Sequence, residues 1–232
     1  MGETPGWYGK LPVLGDFAQR RLPADFVVTW DVWLQQGIAS SQLELGADWL
    51  NAYLTAHVWH FVLMPGVLGA SGWAGVLTPS VDRVGRYFPF TVAAPLPPGQ
   101  VLGASVSALG GWLRQLEDCA RQALAMEGGI DVLEEALARL GPPRPGLAPA
   151  GEFTRIEEQF SRRDEVVGLH ALGAPGEPDC LETLAACSLQ ATLAGYSLWW
   201  CHGENGTSGG FAHRNLPGAP FLTKMLTYSP AG

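Results

Sequence analysis

From Phe26 through Trp30, Trp33, Leu34 and Ile38, apolar residues recur every three or four positions, which marks one face of a helix. Pro23 and Asp25 just ahead of that face suit a first helical turn. A second helix is predicted over residues 47–56, after a break at Gly46, with Trp49, Leu50, Tyr53 and Leu54 turned inward. The pattern then shifts to β character. Residues 57–64 are aromatic and β-branched and end at Pro65-Gly66, a strong turn signal. Residues 72–77 and 88–94 read as two more strands, joined by the segment 80–86, and residues 7–13 suit a strand or an extended arm. Two helices follow, over 104–126 and 131–140; in the first, Leu109, Trp112, Leu113 and Leu116 share a face at helical spacing.

Residues 141–151 hold four prolines and read as a linker. Beyond it, 181–190 is predicted helical and 196–201 a strand. Residues 204–210 read as a hairpin loop returning through 211–213, and 220–226 as a short helix. The strands come in bursts between helices, which points to a mixed α+β fold in the broad α/β class: a largely antiparallel central sheet covered by helices. The expected organisation is one domain over 1–232. It has a larger N-terminal part, 1–140, and a smaller C-terminal part, 152–232, after the linker. No internal repeat is visible.

Composition narrows the function. Of 232 residues, 47% are apolar and only 16% charged, against a usual charged share of about a quarter. That suffices for a substantial core. The net charge of −8 argues against a nucleic-acid surface. The N-terminus lacks the cationic and apolar stretches of a secretory signal, and no window suggests a membrane span. The four cysteines show no CxxC spacing. A cytoplasmic protein with reduced thiols is expected, with no metal and no cofactor.

Most catalytic patterns fail. Gly9-Lys10 lacks the upstream glycine and the following Ser or Thr of a phosphate-binding loop, and no GxGxxG or GxSxG pattern is present. His57 and His60, read on one strand, would face opposite sides of the sheet, which prevents shared metal ligation. One segment passes these tests. Ser80-Val81-Asp82-Arg83-Val84-Gly85-Arg86 places three charges between two apolar runs, which is expensive unless the charges are paired or functional. It reads either as a hairpin connection in which Asp82 pairs with Arg83 or Arg86, or as paired guanidinium groups recognising an anionic or polar partner. An enzyme or anionic-ligand sensor would need Asp16 or Asp82 to work beside Arg83 and Arg86. Trp7, Trp199 and Trp200 stand out as interface candidates, and Trp30 and Trp33 as core.

Three motifs occur in order: Gly6-Trp7-Tyr8-Gly9-Lys10 running on to Gly15-Asp16-Phe17; Trp30-Asp31 with Trp33-Leu34; and Ser80 through Tyr87-Phe88-Pro89. Together they closely resemble the TagF family of type VI secretion-associated proteins. Later pieces are similar too: Ser197-Leu198-Trp199-Trp200, Arg214-Asn215-Leu216-Pro217, Phe221 and Met225-Leu226. Residues 141–178 carry no matching signature. The resemblance implies a cytoplasmic accessory protein that restrains assembly or firing of the secretion apparatus after translation. It would act by binding other components, notably a forkhead-associated scaffold protein. Some family members are fused to, or work beside, a PP2C-type phosphatase; no such domain is read here. The resemblance implies no catalytic residues. It does place Trp7, Lys10, Asp16, Phe17, Ser80, Asp82, Arg83 and Arg86 at signature positions. A non-enzymatic regulator is therefore expected, with Trp7, Lys10, Asp16, Ser80, Asp82, Arg83 and Arg86 as its partner-binding residues, no nucleic-acid partner and no direct membrane insertion.

Overall fold

The β-rich stretches of the sequence pair into one antiparallel sheet. The computed structural model describes residues 4–96, 106–125, 129–143, 188–189, 191–203 and 206–230. Strands β1 (Gly6–Gly9), β2 (Ala18–Arg20), β3 (Trp59–Leu63), β4 (Trp73–Thr78), β5 (Phe90–Pro95), β6 (Tyr196–His202) and β7 (Ser208–Arg214) stand in the order β2-β1-β5-β4-β3-β6-β7. Every neighbouring pair is antiparallel. Helices α1 (Ala24–Leu45), α2 (Trp49–Thr55), α3 (Val106–Leu124), α4 (Gly129–Leu140) and α5 (Phe221–Thr227) cover it. The fold is mixed α+β, with helices on both faces of the sheet.

The two faces explain why the central strands read as unbroken apolar runs. Alternation along β3 sends Trp59, Phe61 and Leu63 into the core beneath α1, α2 and α5, and Val62 into the core beneath α3 and α4. The first core is aromatic. Trp30 sits 4.8 Å from Trp33, 5.0 Å from Phe61 and 5.4 Å from Phe26, ring centre to ring centre. The second is largely aliphatic, with Leu109, Leu113 and Leu116 of α3 and Leu133 and Leu137 of α4 against Val62, Val76 and Val92. At Gly37 in α1, a side chain would stand 3.0 Å from Leu222 Cβ, so glycine lets α5 approach closely. Among the described residues, no helix is long and apolar enough to cross a membrane.

Several elements differ from their sequence reading. α2 buries Trp49 and Tyr53 but leaves Leu50 and Leu54 exposed, because a seven-residue helix at the domain surface presents a narrow inward stripe. The N-terminal strand stops at Gly9 instead of Val13; Gly9 adopts φ 134° with Pro89 close against it. Strand β2 was not predicted: it is a three-residue edge strand, with Gln19 and Arg20 exposed, and has too few apolar positions to show period 2. β7 begins at Ser208, so the hairpin loop is shorter than the polar composition suggested. His57 lies outside β3, so the two-faced-strand reading of His57 and His60 does not hold. The helix read over 181–190 and the linker read over 141–151 fall mostly outside the described residues.

Glu134 ties α4 to the edge of the sheet. Its carboxylate accepts a hydrogen bond from Trp7 Nε1 at 2.6 Å and two from Arg21 at 2.5 and 3.0 Å. Burial would raise this carboxyl, but Arg21, Trp7 and Arg20 outweigh it and hold it below its ordinary value. Glu134→Ala strips the buried indole N–H of its acceptor and should lower stability by about 1–2 kcal/mol. A urea titration with unchanged slope and a lower midpoint would show this; an unchanged midpoint would contradict it.

Candidate functional site

The segment 79–89 connects β4 to β5 and folds over the arm that leaves β1. Its shape is set by one carboxylate. Asp82 Oδ1 accepts the backbone N–H groups of Val84 at 3.0 Å and Arg86 at 2.8 Å. Asp82 Oδ2 accepts Arg86 Nε at 2.7 Å and faces Lys10 Nζ at 3.4 Å. The backbone closes the turn: Gly85 N–H donates to Asp82 O at 3.0 Å, with Gly85 at φ 85°, a conformation that favours glycine. This is an Asx-type turn reinforced by two cations.

Ser80 seats the base of the loop. Its hydroxyl donates to Lys10 O at 2.6 Å. The Tyr53 hydroxyl donates to Ser80 O at 2.9 Å and accepts from Ser80 N–H at 3.0 Å. Burial pushes the Tyr53 phenol well above its ordinary value, so it remains a donor throughout the physiological range. The arm and the loop are also stitched directly. Arg83 N–H donates to Leu14 O at 3.0 Å, and Arg86 Nη2 donates to Gly15 O at 2.6 Å. Arg86 also lies 3.6 Å from Asp16. Phe17 completes the arm: Lys10 Nζ stands 4.7 Å from its ring centre and Phe88 packs edge-on at 4.7 Å.

These contacts divide the sequence-predicted site residues into two sets. Trp7, Lys10, Ser80 and Asp82 are buried. The reading that these four touch a partner is therefore corrected: their side chains are enclosed, and they position the loop from below. Asp16, Arg83 and Arg86 are exposed. Between them stand two apolar side chains, Phe17 at 45% exposure and Val84 at 64%. The sequence reading gave Phe17 as a signature position and passed over Val84, whose only signal was an apolar residue inside a charged turn. Trp199 is also core, at 1% exposure, in ring contact with Trp30, Trp33 and Phe61. Trp200 is half-buried beside His60.

The Asp82 environment decides its acid–base behaviour. Burial alone would raise its pKa, but the hydrogen bonds from Arg86, Val84 N–H and Lys10 outweigh it and hold it down at about 2. A free aspartate titrates near 3.8. The latch therefore contributes its full stability above that value and loses it as pH falls from there toward 2. Amide hydrogen exchange at Val84 and Arg86, corrected for intrinsic rate, should stay flat from pH 7 down to about pH 4 and accelerate only below. Release centred above pH 5 would contradict the latch.

A second polar cluster lies on the α3 face of the sheet. His60 Nε2 and Glu117 Oε2 are 2.6 Å apart, and Arg121 Nε donates to Glu117 Oε1 at 2.8 Å. Burial would raise Glu117, but His60 and Arg121 hold it below its ordinary value. His60 is thus paired within the fold. No group of metal-ligating side chains is present among the described residues.

A family model described as the TagF N-terminal domain, type VI secretion system-associated, matches residues 6–140, a span that includes both the arm and the loop. The crystal structure of PA0076 from Pseudomonas aeruginosa PAO1 is similar over 96% of this chain and 94% of that one, at 37% identity and a TM-score of 0.75. No curated protein matches the sequence.

Proposed function

The chain belongs to the family of type VI secretion system-associated proteins with a TagF N-terminal domain, and on that premise we propose that it is a cytoplasmic accessory protein restraining assembly or firing of the secretion apparatus after translation. It acts by binding another component, a forkhead-associated scaffold protein, and not by catalysis. The observation that carries this reading is the pre-ordered tip formed by the arm and the 80–86 loop. A buried carboxylate, a buried lysine and a buried serine hold in one shape a short loop whose outward residues are Arg83, Val84 and Arg86. Ordering a loop before encounter reduces the entropy lost on binding. The Asp82 side chain has no exposure, and both its oxygens are engaged within the loop, so it is not free to act on a bound molecule.

The test uses the full chain. Deleting the gene should raise effector secretion with transcript levels of the apparatus unchanged, and re-expression should restore restraint. The purified chain should capture the purified forkhead-associated scaffold. Unchanged secretion on deletion, together with no capture, would overturn the proposal.

A further inference from the structure

The arm and the loop leave exposed a small surface whose chemistry differs from the rest of the molecule. Residues 10–17 and 80–88 carry Lys10, Arg83 and Arg86 against Asp16 and Asp82. The tip therefore has a net excess of one positive charge on a chain of −8. The three cations are not equivalent. Lys10 and Arg86 are held by Asp82. Among the described residues the Arg83 guanidinium has no ion-pair partner. Its backbone N–H is held within the fold, through its bond to Leu14 O. Val84 beside it and Phe17 on the neighbouring arm are apolar and open to solvent.

From this juxtaposition of a free guanidinium with two exposed apolar side chains on a rigid tip, we infer that the surface docks an acidic segment of a partner protein that also carries an apolar side chain. The inference rests on the regulatory reading above and names the chemistry of the partner's contact. A carboxylate pair matches the planar fork of Arg83. An apolar side chain covers Val84 and Phe17, which water would otherwise surround. The chain as a whole carries −8, so the local positive excess of the tip orients an acidic partner toward it.

The experiment places a photo-activatable benzophenone amino acid at Val84 of the full chain in the host bacterium. A control chain carries it at Leu43, an exposed residue of α1. The expected adduct forms from position 84 and not from 43, and mass spectrometry maps it to a partner segment rich in Asp and Glu. Adding Arg83→Glu should cut the adduct yield by about tenfold or more, since like charges would then face each other, whereas Arg83→Lys, which keeps the charge and loses the fork, should give a yield between the two. No adduct at position 84, an adduct to a segment without acidic excess, equal yield from the Arg83→Glu chain, or the same adduct from position 43 would each overturn the inference. Effector secretion measured alongside separates the two claims. If deletion of the gene still raises secretion while the adduct fails, the regulator stands and the tip is not its contact. If deletion changes nothing, the regulatory reading itself fails.

Discussion

Trp30→Ala will destabilise the protein by about 3–5 kcal/mol. Trp30 is fully buried at the centre of the aromatic core, in ring contact with Phe26, Trp33, Phe61 and Trp199. Its Nε1 donates to Thr91 Oγ1 at 2.8 Å, so truncation leaves a cavity and also an orphaned hydroxyl on β5. The surrounding rings belong to α1, β3 and β6, whose backbones are pinned by sheet and helix hydrogen bonds, and they cannot close over the void. Trp30→Phe, which keeps most of the volume and loses the hydrogen bond, should cost about 1–3 kcal/mol. Val28→Ala on the exposed side of the same helix should stay within about 0.5 kcal/mol. Chemical denaturation of the three variants checks the ranking; a loss below 1 kcal/mol for Trp30→Ala would mean that the core repacks around the gap.

Asp82→Ala will dissolve the tip. The substitution removes the acceptor of two backbone amides, the partner of Arg86, and the counter-charge of the buried Lys10. A buried cation without its partner is strongly unfavourable, so Lys10 must move toward solvent and give up its place against Phe17. Amide exchange at Val84 and Arg86 should rise by an order of magnitude or more, about one hydrogen bond's worth of protection, and the melting temperature should fall. Partner capture should fail although Asp82 is enclosed. Arg83→Ala should behave oppositely, with melting temperature and exchange unchanged and capture reduced, because its guanidinium takes no part in the latch. Arg86→Ala should resemble Asp82→Ala, since Arg86 binds both Asp82 and Gly15 O; a double Arg83/Arg86 substitution would therefore mix the two effects. Unaltered exchange at Val84 and Arg86 in Asp82→Ala would refute the latch.

The contrast between Arg83 and Arg86 shows where reading the chain stops. Spacing alone placed both arginines beside Asp82, and left open an ion-pair latch or a recognition surface. The structure assigns one role to each: Arg86 closes the latch and Arg83 faces outward. Trp7 and Trp199 show the same limit from the other side. Both are large aromatic residues on strands, and only the layer of helices on each face of the sheet makes them core.

What the chain determined by itself is the part governed by local periodicity and by chemical cost. Three- and four-residue spacing identified α1 and α3. Apolar runs bounded by Gly and Pro identified β3, β4 and β5, and the expense of charges between apolar runs identified the 80–86 loop. Which way each charged side chain points is fixed later, by tertiary contacts. In a loop no repeating geometry sets that direction. It is set by contacts such as Ser80 Oγ to Lys10 O and Arg86 Nη2 to Gly15 O, between residues 70 and 71 positions apart. Those contacts exist only once β1 pairs with β5 and brings the arm beneath the loop.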